Sequence, residues 1–227
     1  MPLPRPQAHY AGPGAAGPQA GVTGVPGYGL SKAAGAASQD TKQALKMLLA
    51  DPVGGQSKAL ELLGDGRALA VGMVLIGVFV LTAYLAGMAM LAPLLRMARQ
   101  FGGSVDVRTH LKLLLLACVP AAAILAGLVI IGKIFGGRTS FHSALFCTGV
   151  VVLPGSIALA ATWLLGLGNA ELVLLVTFFA GTITILLANS ALTSVQKLPA
   201  GRAMWLTPAL LVLSAYISKV LYMSLFR

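Results

Sequence analysis

Few polar or ionisable residues fall inside the apolar runs of this chain: His142, Glu171, Asn189, Ser190 and Lys219. Within a membrane such residues are the default candidates for ion paths, proton relays or ligand sites. Their spacing supports little chemistry. A serine nucleophile needs a base within hydrogen-bond reach. His142 and Ser156 lie 14 residues apart, about 21 Å along one helix at ~1.5 Å per residue, so they form no dyad. A zinc site of the H-E-x-x-H kind needs two histidines one turn apart, whereas His9, His110 and His142 are scattered. Metal-assisted phosphotransfer needs several carboxylates on one face, and Asp106 is the only aspartate after Asp65. No run carries an acid at its centre, which disfavours a proton- or sodium-coupled carrier. The reading is a protein without catalytic residues, metal or cofactor.

Structural roles account for the same residues. Glu171 stands where a helix begins, and a carboxylate there complements the helix dipole. Lys219 is close enough to the end of its run to snorkel to the headgroups. His142 sits at an edge beside a Gly-Gly turn. Asn189 and Ser190 can hydrogen-bond between helices. Pro120, Pro154 and Pro208 fall inside three different runs; each frees a carbonyl, and a kink can shape a cavity or a hinge. Cys118 and Cys147 have no metal-like spacing and read as small buried apolar residues.

The elements that carry these residues are set by hydropathy. Between Arg138 and Glu171 there are 32 residues without a Lys, Arg, Asp or Glu. A helix of roughly 20 apolar residues crosses a ~30 Å hydrocarbon core. Lipid offers the backbone no partner, so a crossing segment is a helix or part of a closed barrel. The run has no period-two alternation, which favours helix. Five such runs occur, at about 68–95, 113–132, 141–165, 172–192 and 203–221. Charged residues make up only 10% of the chain, against ~25% in soluble domains. The fold class expected is an all-α membrane protein, a bundle of five transmembrane helices over 67–227. Gly72, Gly77 and Gly87 in the first run are small enough for close helix contact.

Two further segments precede the bundle. Residues 1–39 hold six of the 12 prolines and much Gly and Ala; such a segment buries too little surface to offset its ordering entropy and reads as a disordered tail. Residues 40–66 read as two short amphipathic helices. Asp40 with Gln43 forms a capping-box pattern, and Asp51-Pro52 ends one helix and caps the next. Leu48, Leu60 and Leu63 fall on apolar faces, while Lys42, Lys46, Lys58 and Glu61 fall on polar ones. The pair either lies in the headgroup plane or caps the bundle. Gly64-Asp65-Gly66 ends it.

The net charge of +10 is dispersed rather than clustered, which points to contact with anionic headgroups rather than nucleic acid. The N-terminus lacks the apolar core of a cleaved signal peptide. Near-membrane basic residues divide six against six between the two sides, so the positive-inside rule decides nothing until Lys42 and Lys46 tip it toward a cytoplasmic N-terminus.

Four stretches carry a family resemblance: Leu48-Leu49-Ala50-Asp51-Pro52-Val53-Gly54-Gly55; Gly136-Gly137 with Ser140-Phe141-His142-Ser143-Ala144-Leu145 and Pro154; Leu165-Gly166-Leu167-Gly168-Asn169; and Leu213-Ser214-Ala215-Tyr216-Ile217-Ser218-Lys219-Val220. Together with the five runs, they resemble the bacterial branch of the YIP domain family, the Ypt/Rab-interacting-type membrane proteins. The resemblance implies five helices, an inner-membrane location, a cytoplasmic N-terminus and an outward C-terminus. Eukaryotic relatives are linked to Rab GTPases and vesicle traffic. Some bacterial relatives carry an N-terminal zinc ribbon, and this tail has no cysteine. The function expected is a non-enzymatic membrane-organising or partner-binding module. Its partners are the lipid bilayer and either another protein or further copies of the chain, with no nucleic acid. The alternative is a subunit of an oligomeric channel or small-solute transporter, lined by Pro120, Pro154, Asn189 and Ser190.

Overall fold

The computed structural model describes residues 39, 41–48, 50–51, 54–100, 106–137, 140–165 and 169–225, with backbone only at 94–95 and 98–100. The tail expected over 1–39 and the cap expected at Asp40 lie outside the described residues, save for 39. Among the described residues there are helices and no strand. Helix α1 covers 41–48. It is followed by α2 (Gly55–Gln100), α3 (Val107–Ile134), α4 (Phe141–Leu165), α5 (Ala170–Ser190) and α6 (Ala200–Leu225). A π-helical turn, Ala191–Val195, extends α5. Helices α2 to α6 are each long and apolar enough to cross a membrane. The shortest, α5, has 21 residues and measures about 31 Å at ~1.5 Å per residue. Successive crossings alternate in direction. The starts of α2, α4 and α6 therefore share one end, the cap end, and the starts of α3 and α5 share the far end.

The expected third span, 141–165, matches α4. The others overrun their expected bounds. Arg96 lies on α2, which passes through Pro93 and runs to Gln100. Arg108, His110 and Lys112, expected in a connection, form the first turns of α3. Polar residues beyond the hydrocarbon core can continue a helix because water and headgroups solvate their side chains.

Helix α4 is the centre. Fourteen of its 25 residues are buried, against four of 21 in α5. The run 143–152 is buried without a break, so the helix is covered on every side along that stretch. This explains a sequence that is apolar all round rather than striped. Helix α2 packs most extensively on α4, α5 packs on its other side, and α6 packs on α3. Phe146, Val150, Val151, Leu128, Leu192 and Val71 fill the middle and are fully buried.

The α2–α4 contact is backbone on backbone. A Cβ added to Gly72 would lie 2.8 Å from the Leu145 carbonyl oxygen and the Phe146 Cα. One added to Gly149 would lie 2.8 Å from the Gly72 carbonyl oxygen. No rotamer change relieves either clash. Between membrane helices, where no hydrophobic drive exists, such close approach is a main source of attraction. Of the glycines expected to allow close contact, Gly72 does so. Gly77 does not: it is exposed, with open space beside it.

Polar bonds also join the elements. Midway along the helices, the Ser214 hydroxyl donates to the Pro120 carbonyl at 3.2 Å, joining α6 to α3. Two more lie at the far end. Lys112 Nζ donates to the Leu225 carbonyl and so caps α6 with a cation, the favourable charge for a helix C-terminus. Tyr84 Oη and His110 Nδ1 lie 2.9 Å apart and link α2 to α3.

At the cap end, Asp51 caps α2 as expected: its Oδ1 accepts from the Gly54 N–H at 2.8 Å. Asp51 Oδ2 also pairs with Lys58 Nζ at 3.2 Å. The described part of the amphipathic pair packs on the bundle. Ala44, Leu48, Ala59 and Leu63 are buried in the same core cluster as Val71 and Leu192. Lys42, Gln43, Lys46, Lys58 and Glu61 face outward. The break expected at Gly64 is a kink inside α2, with Gly64 at φ 65°, ψ 170°.

One correction concerns Cys118. It is exposed, whereas Cys147 is buried. Helix α3 buries Leu113, Ala117, Ala121, Ile124 and Leu128, and Cys118 stands beside that stripe on the outer face. Apolar residues occur on both faces of a membrane helix, so sequence alone did not tell them apart.

The Gly72–Gly149 contact makes a direct prediction. Gly149→Val should cost on the order of 3 kcal/mol, the upper range for overpacking a tight core. It should appear as a lowered unfolding midpoint and a broadened elution peak in mild detergent. Gly77→Val, facing lipid, should leave both unchanged.

Candidate functional site

Three buried polar residues, Gln56, Ser190 and Gln196, gather at the cap end around the close of α5. The cause is local. Within 189–194, hydroxyls bond back to the chain: Thr193 Oγ1 donates to the Asn189 carbonyl at 2.9 Å and Ser194 Oγ to the Ser190 carbonyl at 2.6 Å. Side-chain bonding to the i−4 carbonyl competes with the backbone ladder and bends helices. Here the helix widens into the π turn. The Gln196 N–H reaches the Ala191 carbonyl at 3.0 Å and the Leu198 N–H reaches the Leu192 carbonyl at 3.0 Å. Lys197 closes the turn at φ 59°, the single positive-φ residue other than glycine among the described residues. π turns in α-helices occur often at functional sites.

Two glutamines reach into the bundle here. Gln56, fully buried, donates from Nε2 to the Leu187 carbonyl at 2.9 Å, tying the start of α2 to α5. Gln196, also buried, donates from Nε2 to the Leu128 carbonyl at 2.9 Å, tying the π turn to α3. Each uses only half of its amide. Gln56 Oε1, Gln196 Oε1 and Asn189 Oδ1 are buried and accept no hydrogen bond from the protein. A hydrogen bond contributes a net ~1 kcal/mol, while an unsatisfied buried acceptor costs about 1–3 kcal/mol. On balance these amides add little stability, so what they do is join elements and supply acceptors. Buried polar groups of this kind commonly take bonds from internal water.

The residues singled out from sequence are spread over the bundle. His142 opens α4, half-buried, its ring edge-on to Phe141 with centroids 6.4 Å apart. Asn189 lies near the cap end, where its Oδ1 is one of the three unpartnered oxygens. Ser190 Oγ lies 3.2 Å from Ser194 Oγ. Ser156 Oγ donates to the Val152 carbonyl of its own helix at 3.3 Å. Pro154 is buried in α4, Pro120 is half-buried and Pro208 is exposed on α6. At the far end, Glu171 is exposed in the first turn of α5. Lys219 is exposed on α6 and lines a shallow surface cleft with Tyr216 and Ser224. The fold does not bring these residues to one place. Lys58 and Asp51 form an ion pair, and among the described residues no group of three His, Cys, Asp or Glu side chains could hold a metal ion.

Sequence reasoning placed Gln196 in a loop and passed over Gln56. Gln196 follows an apolar run and Gln56 lies in the amphipathic segment before the first one, and in both places a glutamine is usually solvated. The one available signal was the Asn189, Ser190, Thr193, Ser194, Gln196 spacing, which makes the end of the fourth run unusually polar.

This arrangement is that of a multi-pass membrane protein with a docked cap. Compared with family models, with curated proteins and with solved structures, the chain matches none.

Two substitutions test the polar end. Gln196→Met keeps the volume and removes an unsatisfied oxygen, so it should change stability in detergent by less than about 1 kcal/mol. Lys197→Gly should raise it by about 1 kcal/mol, because only glycine holds a left-handed conformation without steric cost. A thermal unfolding series on both variants checks the pair.

Proposed function

We propose that this chain is a non-enzymatic, YIP-like membrane module that binds or organises a protein partner at its cap end. The observation that carries the reading is the docked cap. The described residues 41–48, 50–51 and 54–63 form a folded layer outside the five crossings, anchored by Leu48, Ala59, Leu63 and Gln56. Its outward face offers Lys42, Gln43, Lys46, Lys58, Glu61 and the apolar Leu62, which is 54% exposed. A polar face with one apolar anchor has the chemistry of a protein contact. The four stretches that resemble the family fall at the cap, the start of α4, the α4–α5 turn and the second half of α6. The reading places the N-terminus in the cytoplasm and the protein in the inner membrane.

A transport role is the second reading, favoured by the three buried amide oxygens. It requires several copies, because Phe146, Val150 and Val151 fill the centre of one copy.

Capture from mild detergent tests the first reading. A partner recovered with the wild-type chain should be lost when Lys42, Lys46 and Lys58 are changed to Glu. Recovery of the chain alone across several conditions would sink it. Proteoliposomes that pass ions or small solutes above empty vesicles would move the weight to transport. Single cysteines at Ser38 and Ser224, in a background lacking Cys118 and Cys147, should label from opposite sides; labelling of Ser38 from outside would refute the cytoplasmic N-terminus.

A further inference from the structure

We infer that the cap is a hinged lid with two positions, selected by the backbone of Gly64. This goes beyond the partner reading and does not depend on it. Helix α2 continues on both sides of Gly64, and this one residue, at φ 65°, ψ 170°, departs from helical geometry. That region of backbone space is open essentially to glycine alone. The direction of Gly55–Leu63 relative to the membrane crossing therefore rests on one residue. Among the described residues nothing packs around it. No atom lies within 4 Å of where a Cβ would stand, and Asp65, Gly66 and Arg67 next to it are all exposed.

If Gly64 takes helical angles, α2 becomes one straight rod. Its 46 residues would measure about 69 Å at ~1.5 Å per residue, well beyond a bilayer of ~40–45 Å with its headgroups. The nine residues Gly55–Leu63 would then project as a stalk and carry α1 away from the bundle.

The latch joins one polar tie to apolar contact. A buried hydrogen bond from Gln56 to the Leu187 carbonyl ties Gly55–Leu63 to α5, and the other end of that amide accepts nothing from the protein. In the projected position water would satisfy both ends. Ala44, Leu48, Ala59 and Leu63 add core contact, and Leu45, Met47 and Leu60 pack partly buried against it. In the docked position Gln56 lies against the Leu187 carbonyl, so opening uncovers that part of the end of α5.

Gly64→Ala is the test. Alanine is strained at the docked angles and is the better helix former, so it selects the straight rod. The full chain, with Cys118 and Cys147 replaced by Ala, is reconstituted in phospholipid vesicles. Spin labels at Glu61→Cys and Lys133→Cys report the lid position by pulsed dipolar spectroscopy. A separate Ala59→Cys reports its accessibility to a membrane-impermeant maleimide, and Val151→Cys in α4 reports whether the bundle is intact. The expected result is a longer label distance in Gly64→Ala, with Ala59→Cys labelled at least about tenfold faster and Val151→Cys still protected. An unchanged distance and a protected Ala59→Cys in Gly64→Ala overturn the inference. If Val151→Cys also labels, the variant is misfolded and the label distances in the otherwise unchanged chain decide. A second, longer population supports the lid, and a single docked population overturns it.

Discussion

The close approach of α2 and α4 at Gly72 and Gly149 is the constraint on which the architecture rests. Two backbones in contact hold these helices nearer than any side-chain layer would allow. Lipid is as apolar as leucine, so burial alone does not drive helices together in a bilayer; contact area and fit do. By packing α2 against one side of α4 and α5 against another, the bundle encloses the stretch 143–152. Helix α6 joins through α3, with Leu210 buried in the shared core and Ser214 bonded to the Pro120 carbonyl. The helix that touches lipid least is thus the one around which the others are arranged.

Hydropathy made the five crossings legible, because the cost of an unpaired backbone in lipid leaves few alternatives. The break at Gly64, the Asp51 cap and the position of Glu171 in the first turn of α5 were legible for the same kind of reason: each answers a local backbone demand. What lay hidden was which face of each helix meets protein. Cys118 and Gly77 read as inward residues from the sequence and face outward, because a lipid-facing surface is as apolar as a protein-facing one. Gln56 was hidden for the opposite reason. It resembles an ordinary solvated first-turn residue until the kink at Gly64 folds it onto α5.

The chemistry of the interior follows from the same economy of polar groups. Hydroxyls in α4 and α5 mostly return to their own helices, as Thr148 does to Ala144 and Thr184 to Ala180. Bonds between elements are few and come from Gln56, Gln196, Ser214, Lys112 and the Tyr84–His110 pair. Most of these lie near the helix ends, so the middle of the bundle is held by packing and its two ends by polar ties.

The π turn has a consequence for register. It holds one more residue than an α-helical turn would across the same carbonyls. Deleting a single residue from Ala191–Val195 would restore the α-helical count and leave α5 intact before it. Because the wider turn absorbs that residue, everything after it would keep nearly its present facing around the axis. Deleting a residue from the α-helical part of α5 would instead turn all that follows by about 100°, the angular step of one residue at 3.6 per turn, and would swing Gln196 away from the Leu128 carbonyl. The π turn is therefore the place in α5 where loss of one residue is best absorbed.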